Sequence, residues 1–180
     1  AEALLALGAK VTLITGPTKI EPPSGALVKN VMSGAQMFEE VKTSLPADGF
    51  VMAAAVADWK SKKIEKNKIK KNIVETLEIS LTKNIDILRY VSKLRKGRPK
   101  LVVGFAAETN NLVKNASKKL EQKGCDWVVA NDVSPETEIM GGTDNAITLI
   151  SVDGSESWQS MSKRKVAQRL AGLMAKALEK

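Results

Sequence analysis

The residues with the most chemical content lie where an apolar run stops. Val51-Met52-Ala53-Ala54-Ala55-Val56-Ala57 ends at Asp58-Trp59, and Lys60, Lys62, Lys63, Lys66, Lys68, Lys70 and Lys71 follow. A buried strand delivers its last residue to a fixed point, so Asp58 there can hold a sugar hydroxyl, a base or a metal ion. A turn or cap aspartate is the plainer alternative. The lysines are compact cations on long stems, suited to wrapping a polyphosphate or to keeping a loop solvated. In an extended segment Lys66, Lys68 and Lys70 would point one way and Lys71 the other.

Two further strand ends carry polar groups. One runs Ala106-Ala107-Glu108-Thr109-Asn110-Asn111 and the other ends Asn131-Asp132. Small residues followed by acids or amides permit close backbone approach and supply oriented hydrogen bonds. Lys119 and Lys123 lie four apart, on one face of an expected helix, where they reach phosphates or face solvent. Phe105 sits late in an apolar strand, as core or as a stacking surface. The chain has no histidine, which removes the commonest general base and any Cys/His zinc site. A divalent ion would then be hard, held by carboxylates and phosphates, as Mg²⁺ is. Cys125 and Trp127 read as core. Gly141-Gly142 reads as a turn before a strand.

Periodicity supplies the elements that must position these groups. Residues 1–7 read as the tail of a helix closed by Gly8. Strands are expected at 11–14, 28–31, 49–55, 101–105, 127–130 and 146–152. Helices are expected at 35–45, 85–94 and 112–123, the last stopped by Gly124, and after a capping Ser162. Residues 73–81 alternate in part and suit pairing near Ile69. Apolar strands separated by helices predict an α/β fold: a three-layer α/β/α, Rossmann-like arrangement with a mostly parallel sheet and a lysine-rich flap as an excursion from it. A doubly wound sheet opens on a strand and turn. Their absence before the first helix gives the expectation of a single domain over 1–180 that is incomplete at its N-terminus.

At 180 residues with 43% hydrophobic content, the chain can bury a sizeable core. No apolar run approaches a membrane span. A single cysteine fits a reducing, cytoplasmic setting. The net charge of +8 favours an anionic partner. That charge also suits a basic nucleic-acid-binding domain, but only 4% of residues are aromatic, poor provision for base stacking. A Rossmann-type nicotinamide oxidoreductase would want a G-x-G-x-x-G turn, which does not occur here.

Six segments, in order, resemble phosphopantothenoylcysteine synthetase, the ligase half of the bacterial bifunctional coenzyme A biosynthesis protein. They are Ala53-Ala54-Ala55-Val56-Ala57-Asp58, Lys68-Ile69-Lys70-Lys71, Lys83-Asn84-Ile85-Asp86-Ile87-Leu88, Gly104-Phe105-Ala106-Ala107-Glu108-Thr109, Ala130-Asn131-Asp132 and Asp144-Asn145. The resemblance implies a ligase that joins 4′-phosphopantothenate to L-cysteine, using CTP with Mg²⁺ through an acyl-cytidylate. It implies that Asp58 contacts the nucleotide and that Lys68 is the catalytic lysine of a closing flap. By the same resemblance Ala54 and Ala55 let the ligand approach, and Ile85, Asp86, Ile87 and Leu88 line the nucleotide site. Phe105 would contact the nucleotide, and Lys119 and Lys123 would hold its phosphates. Where this chain has Ile85 the family usually has proline. The family's first strand and an asparagine motif that processes the acyl-cytidylate would precede Ala1, so the polypeptide alone is expected to be inactive. A homodimer is implied, as is fusion to a flavin-dependent decarboxylase domain in the full-length protein. No FMN, nucleic acid or membrane partner is expected for this chain.

Overall fold

A computed structural model describes residues 1–63, 67, 78–134 and 142–179. Lys66, Lys68, Lys70, Lys71 and Gly141, together with the expected alternation from Ile73 to Leu77, lie outside the described residues.

The elements follow in chain order: α1 (Glu2–Ala6), β1 (Thr12–Thr15), β2 (Leu27–Asn30), α2 (Gly34–Thr43), β3 (Gly49–Met52), β4 (Trp59–Ser61), β5 (Leu81–Lys83) and α3 (Ile87–Ser92). Then come β6 (Leu101–Glu108), α4 (Leu112–Lys123), β7 (Trp127–Asp132), β8 (Asp144–Asn145), β9 (Ile147–Ser151), β10 (Gly154–Ser157), β11 (Met161–Ser162) and α5 (Lys163–Leu178).

The main sheet has five strands in the order β10-β9-β7-β6-β3. β3, β6 and β7 are parallel, and β9 and β10 are antiparallel additions. β1 and β2 form a separate parallel pair. β4 and β5 form an antiparallel arm at the root of the lysine-rich excursion.

Alternation along β6 sorts the core into two faces. Val102 and Ala106 join Met37, Val41, Ile87, Leu88, Ala116 and Leu120, from α2, α3 and α4. Leu101 and Val103 join Trp158, Val166, Leu170 and Met174, with Leu4 of α1 packed alongside. Three layers result, with α2, α3 and α4 on one face and α1 and α5 on the other.

The helix termini are placed by short-range chemistry. Ser33, Asp86 and Ser162 cap α2, α3 and α5 by accepting the N–H three residues on. Gly124 closes α4 in a left-handed conformation, as the pattern predicts.

Boundaries differ from the sequence expectation in ways that matter to the site. β3 ends at Met52 rather than Ala55, and β6 runs on to Glu108. α3 starts only at Ile87, because the Asp86 side chain is already engaged as its cap. The hairpin β9–β10 turns at Val152-Asp153, with Ser151 paired to Gly154.

Candidate active site

The site is created by strands of unequal length. β3 pairs with β6 only as far as Met52↔Gly104, whereas β6 pairs with β7 as far as Glu108↔Asp132. From Phe105 onward, β6 therefore has an open edge on the β3 side. The chain leaving β3, residues 53–58, departs from the sheet at that point. Ala53, Ala54, Ala55 and Asp58 are exposed there. This crevice lies at the carboxyl ends of parallel strands, where open α/β sheets bind ligands.

Three residues one helical stripe apart on α4 anchor it to its neighbours. Asn115 Nδ2 donates to Glu108 Oε2 at 3.0 Å and to the Asn110 carbonyl at 3.1 Å. Lys119 Nζ donates to the Phe105 carbonyl at 2.6 Å. Lys123 Nζ is ion-paired with Asp86 at 2.5 Å. One helix face is thus tied successively to the end of β6, to its open edge and to the cap of α3. Each ammonium has three donors, so both lysines retain capacity for a phosphate while keeping these partners.

Asp86 holds two roles at once. One oxygen caps α3 at 3.0 Å from the Arg89 nitrogen, and the other meets Lys123. Burial pushes its pKa up, but the Lys123 ammonium and the Arg89 N–H more than offset that, and the carboxyl lies below its ordinary value. Asp132, at the end of β7, is likewise lowered, chiefly by the backbone N–H of Ser134. Burial raises the Cys125 thiol, which fits a packing residue rather than a nucleophile.

Close approach to glycine fixes two of the surrounding pieces. A Cβ at Gly104 would lie 2.6 Å from Leu88 Cδ2, so α3 sits against β6 only because residue 104 has none. A Cβ at Gly34 would lie 2.9 Å from Val56 Cγ1, so the start of α2 presses on the 53–58 segment. The far end of that segment is held by Asn84. Its Nδ2 donates to the Ala57 carbonyl at 2.8 Å, and its backbone N–H donates to the Asp58 carbonyl at 2.7 Å.

The residues singled out by sequence are distributed as follows. Ala54, Ala55 and Asp58 lie exposed on the chain beyond β3, Lys119 is bonded to the edge of β6, and Asp86 and Lys123 pair with each other and line a separate surface cavity with Arg89, Lys93, Glu121 and Gln122. Ile87 and Leu88 are core residues, 2% and 6% exposed, so any contact they make with a ligand is through the backbone. Ile85 is exposed. Phe105 packs its ring on the α5 face of the sheet, opposite α4, and offers the crevice its carbonyl. Lys68 lies outside the described residues. Asn84 and Asn115 were not singled out. The available signals were an asparagine two positions before a helix cap, and an asparagine four before Lys119 on the same helical face.

Among the described residues no three acidic, cysteine or histidine side chains converge on one point. A divalent ion here fits only as a partner of ligand phosphates with one or two carboxylates, the manner in which Mg²⁺ is commonly held. No helix among those residues is long and apolar enough to cross a membrane.

The family model for the DNA/pantothenate metabolism flavoprotein C-terminal domain matches residues 1–178. The coenzyme A biosynthesis bifunctional protein CoaBC of Vibrio parahaemolyticus is 39% identical over 180 residues, covering 97% of this chain and 45% of the relative. The Escherichia coli (strain K12) protein of the same name is 37% identical over 166 residues, covering 91% and 41%. The chain thus spans less than half the length of these curated relatives. A crystal structure of the C-terminal domain of CoaBC superposes with a TM-score of 0.80 at 30% identity, covering 99% of this chain and 80% of that one. The fold is shared more distantly with a Cab2 mutant in complex with phosphopantothenate-cysteine, at a TM-score of 0.62 and 12% identity, covering 86% and 53%. By sequence along nearly its whole length and by fold, this chain belongs to the DNA/pantothenate metabolism flavoprotein C-terminal domain family.

Proposed function

We propose that the chain is a phosphopantothenate–cysteine ligase domain that uses CTP. In this reading the 4′-phosphopantothenate carboxylate attacks the α-phosphorus of CTP, and the bond to pyrophosphate breaks. The cysteine amine then attacks the acyl carbon, the acyl–phosphate bond breaks with CMP leaving, and the amine proton is released. Neither step requires histidine. Both depend on alignment and on neutralising phosphate charge.

The observation that supports this reading is the edge of β6 that β3 leaves unpaired beyond Gly104, with Lys119 bonded to the Phe105 carbonyl on it. The small residues Ala53 to Ala55 leave room for a ligand to approach the backbone. The two lysines are held by a carbonyl and a carboxylate, and a polyphosphate would share or replace those acceptors. Asp58 would take the sugar or base, and Lys68 would supply the mobile cation over the reacting phosphate. Mg²⁺, carried in with the triphosphate, would neutralise part of its charge. The membership in coenzyme A biosynthesis proteins and the phosphopantothenate-cysteine bound by Cab2 support the substrate pair. The preference for CTP over ATP, a homodimeric assembly and fusion to a flavin-dependent decarboxylase rest on the family resemblance.

The test is calorimetric titration of the full-length gene product with CTP, ATP and NAD in Mg²⁺, followed by pyrophosphate release with each substrate omitted in turn. Selective CTP binding, and release that requires both 4′-phosphopantothenate and cysteine, are expected. Lys68→Ala should bind CTP and lose turnover. Full activity in that variant would remove Lys68 from the chemistry, and no CTP binding by the parent protein would overturn the ligase assignment.

A further inference from the structure

We infer that Asn84 is a positioning residue of the nucleotide site, fixing the Asp58-bearing chain to the start of α3; the inference rests on the ligase reading above. Residues 53–58 leave the sheet when β3 ends at Met52. Their position is set at two places. Val56 packs on the core and against Gly34 at the start of α2. The Ala57–Asp58 end is held by two hydrogen bonds, both from Asn84.

These two bonds do different things. The backbone N–H of Asn84 continues the β4–β5 ladder by one step, beyond Trp59↔Lys83. Any residue except proline could make it. The Nδ2 bond to Ala57 needs a side-chain donor of asparagine length. That amide also lies 4.0 Å from where a Gly34 Cβ would stand, so it occupies the space where α2, the 53–58 chain and β5 meet. Two residues on, Asp86 caps α3 and pairs with Lys123. Asn84 is thus the link that ties Ala57 and Asp58, by hydrogen bonds, to the chain that reaches Asp86 and its partner Lys123 two residues on. It also closes the root of the arm that leads to Lys68. It makes no contact that requires it to touch a ligand, and it acts through the residues it holds.

Chemistry dictates how substitutions should behave. Asn84→Ala removes the side-chain donor and keeps the backbone bond. Asn84→Asp keeps the shape but sets a carboxylate oxygen against the Ala57 carbonyl, exchanging attraction for repulsion.

The experiment uses the full-length gene product and three readouts: thermal unfolding, KM and kcat for CTP at saturating co-substrates, and amide hydrogen exchange at residues 60, 82 and 84, whose N–H groups face across the arm. In Asn84→Ala the KM for CTP should rise about tenfold, the size of one lost hydrogen bond, while Tm stays close to that of the parent. Asn84→Asp should be at least as impaired. Exchange should quicken at the arm root in both, with or without substrate. An unchanged KM with a lowered Tm would make Asn84 a stability residue only and overturn the inference. Unchanged exchange would overturn the clamp itself. If the parent protein shows no ligase turnover, the ligase reading fails, and the exchange measurement alone then decides whether Asn84 clamps this chain.

Discussion

Asp86 concentrates more of the site's electrostatics than any other described residue, because one carboxylate serves a helix cap and a lysine on a second helix. Its pKa is depressed in the folded protein. A depressed carboxyl contributes stability that is present above its unfolded value, about 4, and lost as pH falls through the lower folded value. Asparagine also caps helices well, so Asp86→Asn isolates the charge. Urea unfolding should show Asp86→Asn less stable than the parent near neutrality, and the difference should vanish in acid below both values. Lys123 is the partner, so the Lys123→Ala difference should vanish over the same range. Lys119 has a different partner, a backbone carbonyl, and its removal should show no such acid dependence. For binding, Lys119→Ala and Lys123→Ala should each weaken CTP about tenfold or more by calorimetry, as expected for one lost charge-assisted hydrogen bond. Both effects should shrink with salt. Lys119 and Lys123 were legible as candidates from helical spacing, and Asp86 only from the family resemblance. Their partners were not, since nothing local tells Lys119 that it will meet a carbonyl fourteen residues earlier.

At the scale of elements, the crevice depends on how α3 lies against β6. Gly104 permits that contact, and a Cβ there would collide with Leu88 and come within 3.7 Å of Cys125 Sγ. Gly104→Ala should therefore destabilise the fold by about 1–3 kcal/mol, the range for overpacking, as read by denaturant midpoint. It should also raise the KM for CTP, because moving Leu88 moves the Asp86 cap. A second tie lies at the opposite end of the same strands. Arg98 donates to the Ser92, Pro99 and Gly124 carbonyls and to both oxygens of Asp126, which also accepts the Val102 N–H at 2.7 Å. This network joins the ends of α3 and α4 to the starts of β6 and β7, away from the crevice. Arg98→Ala should lower Tm and leave KM unchanged, the reverse of Asn84→Ala. The helices and apolar strands were readable because periods of 3.6 and 2 are written in consecutive residues. The β9–β10 hairpin is not legible in that way, since residues 146–152 read as a single strand with no partner after it. The β4–β5 arm carried only three paired positions and no such signal.

At the scale of the molecule, the net charge of +8 is a long-range attraction for anions rather than a site. It should separate specific from bulk binding. Raising the salt to about 0.5 M shortens the Debye length to a little over half its physiological value. Affinity for an arbitrary oligonucleotide should then collapse, whereas CTP binding should fall only several-fold, because the crevice adds hydrogen bonds that salt does not screen. Equal collapse of both would favour a general basic surface.

Composition and motif order by themselves determined the fold class, the absence of histidine chemistry and the polar ends of β6 and β7, because each is a property of residues adjacent in the chain. The tertiary structure alone decided that β3 stops four residues short of where β6 does, that Phe105 offers its carbonyl while its ring packs on the other face, and that Asn84 ties Ala57 and Asp58 across the root of the arm. Those facts join residues from 14 positions apart, Phe105 and Lys119, to 52 apart, Met52 and Gly104. Their geometry is set by where strands begin and end relative to one another, and packing decides that only once the layers have formed.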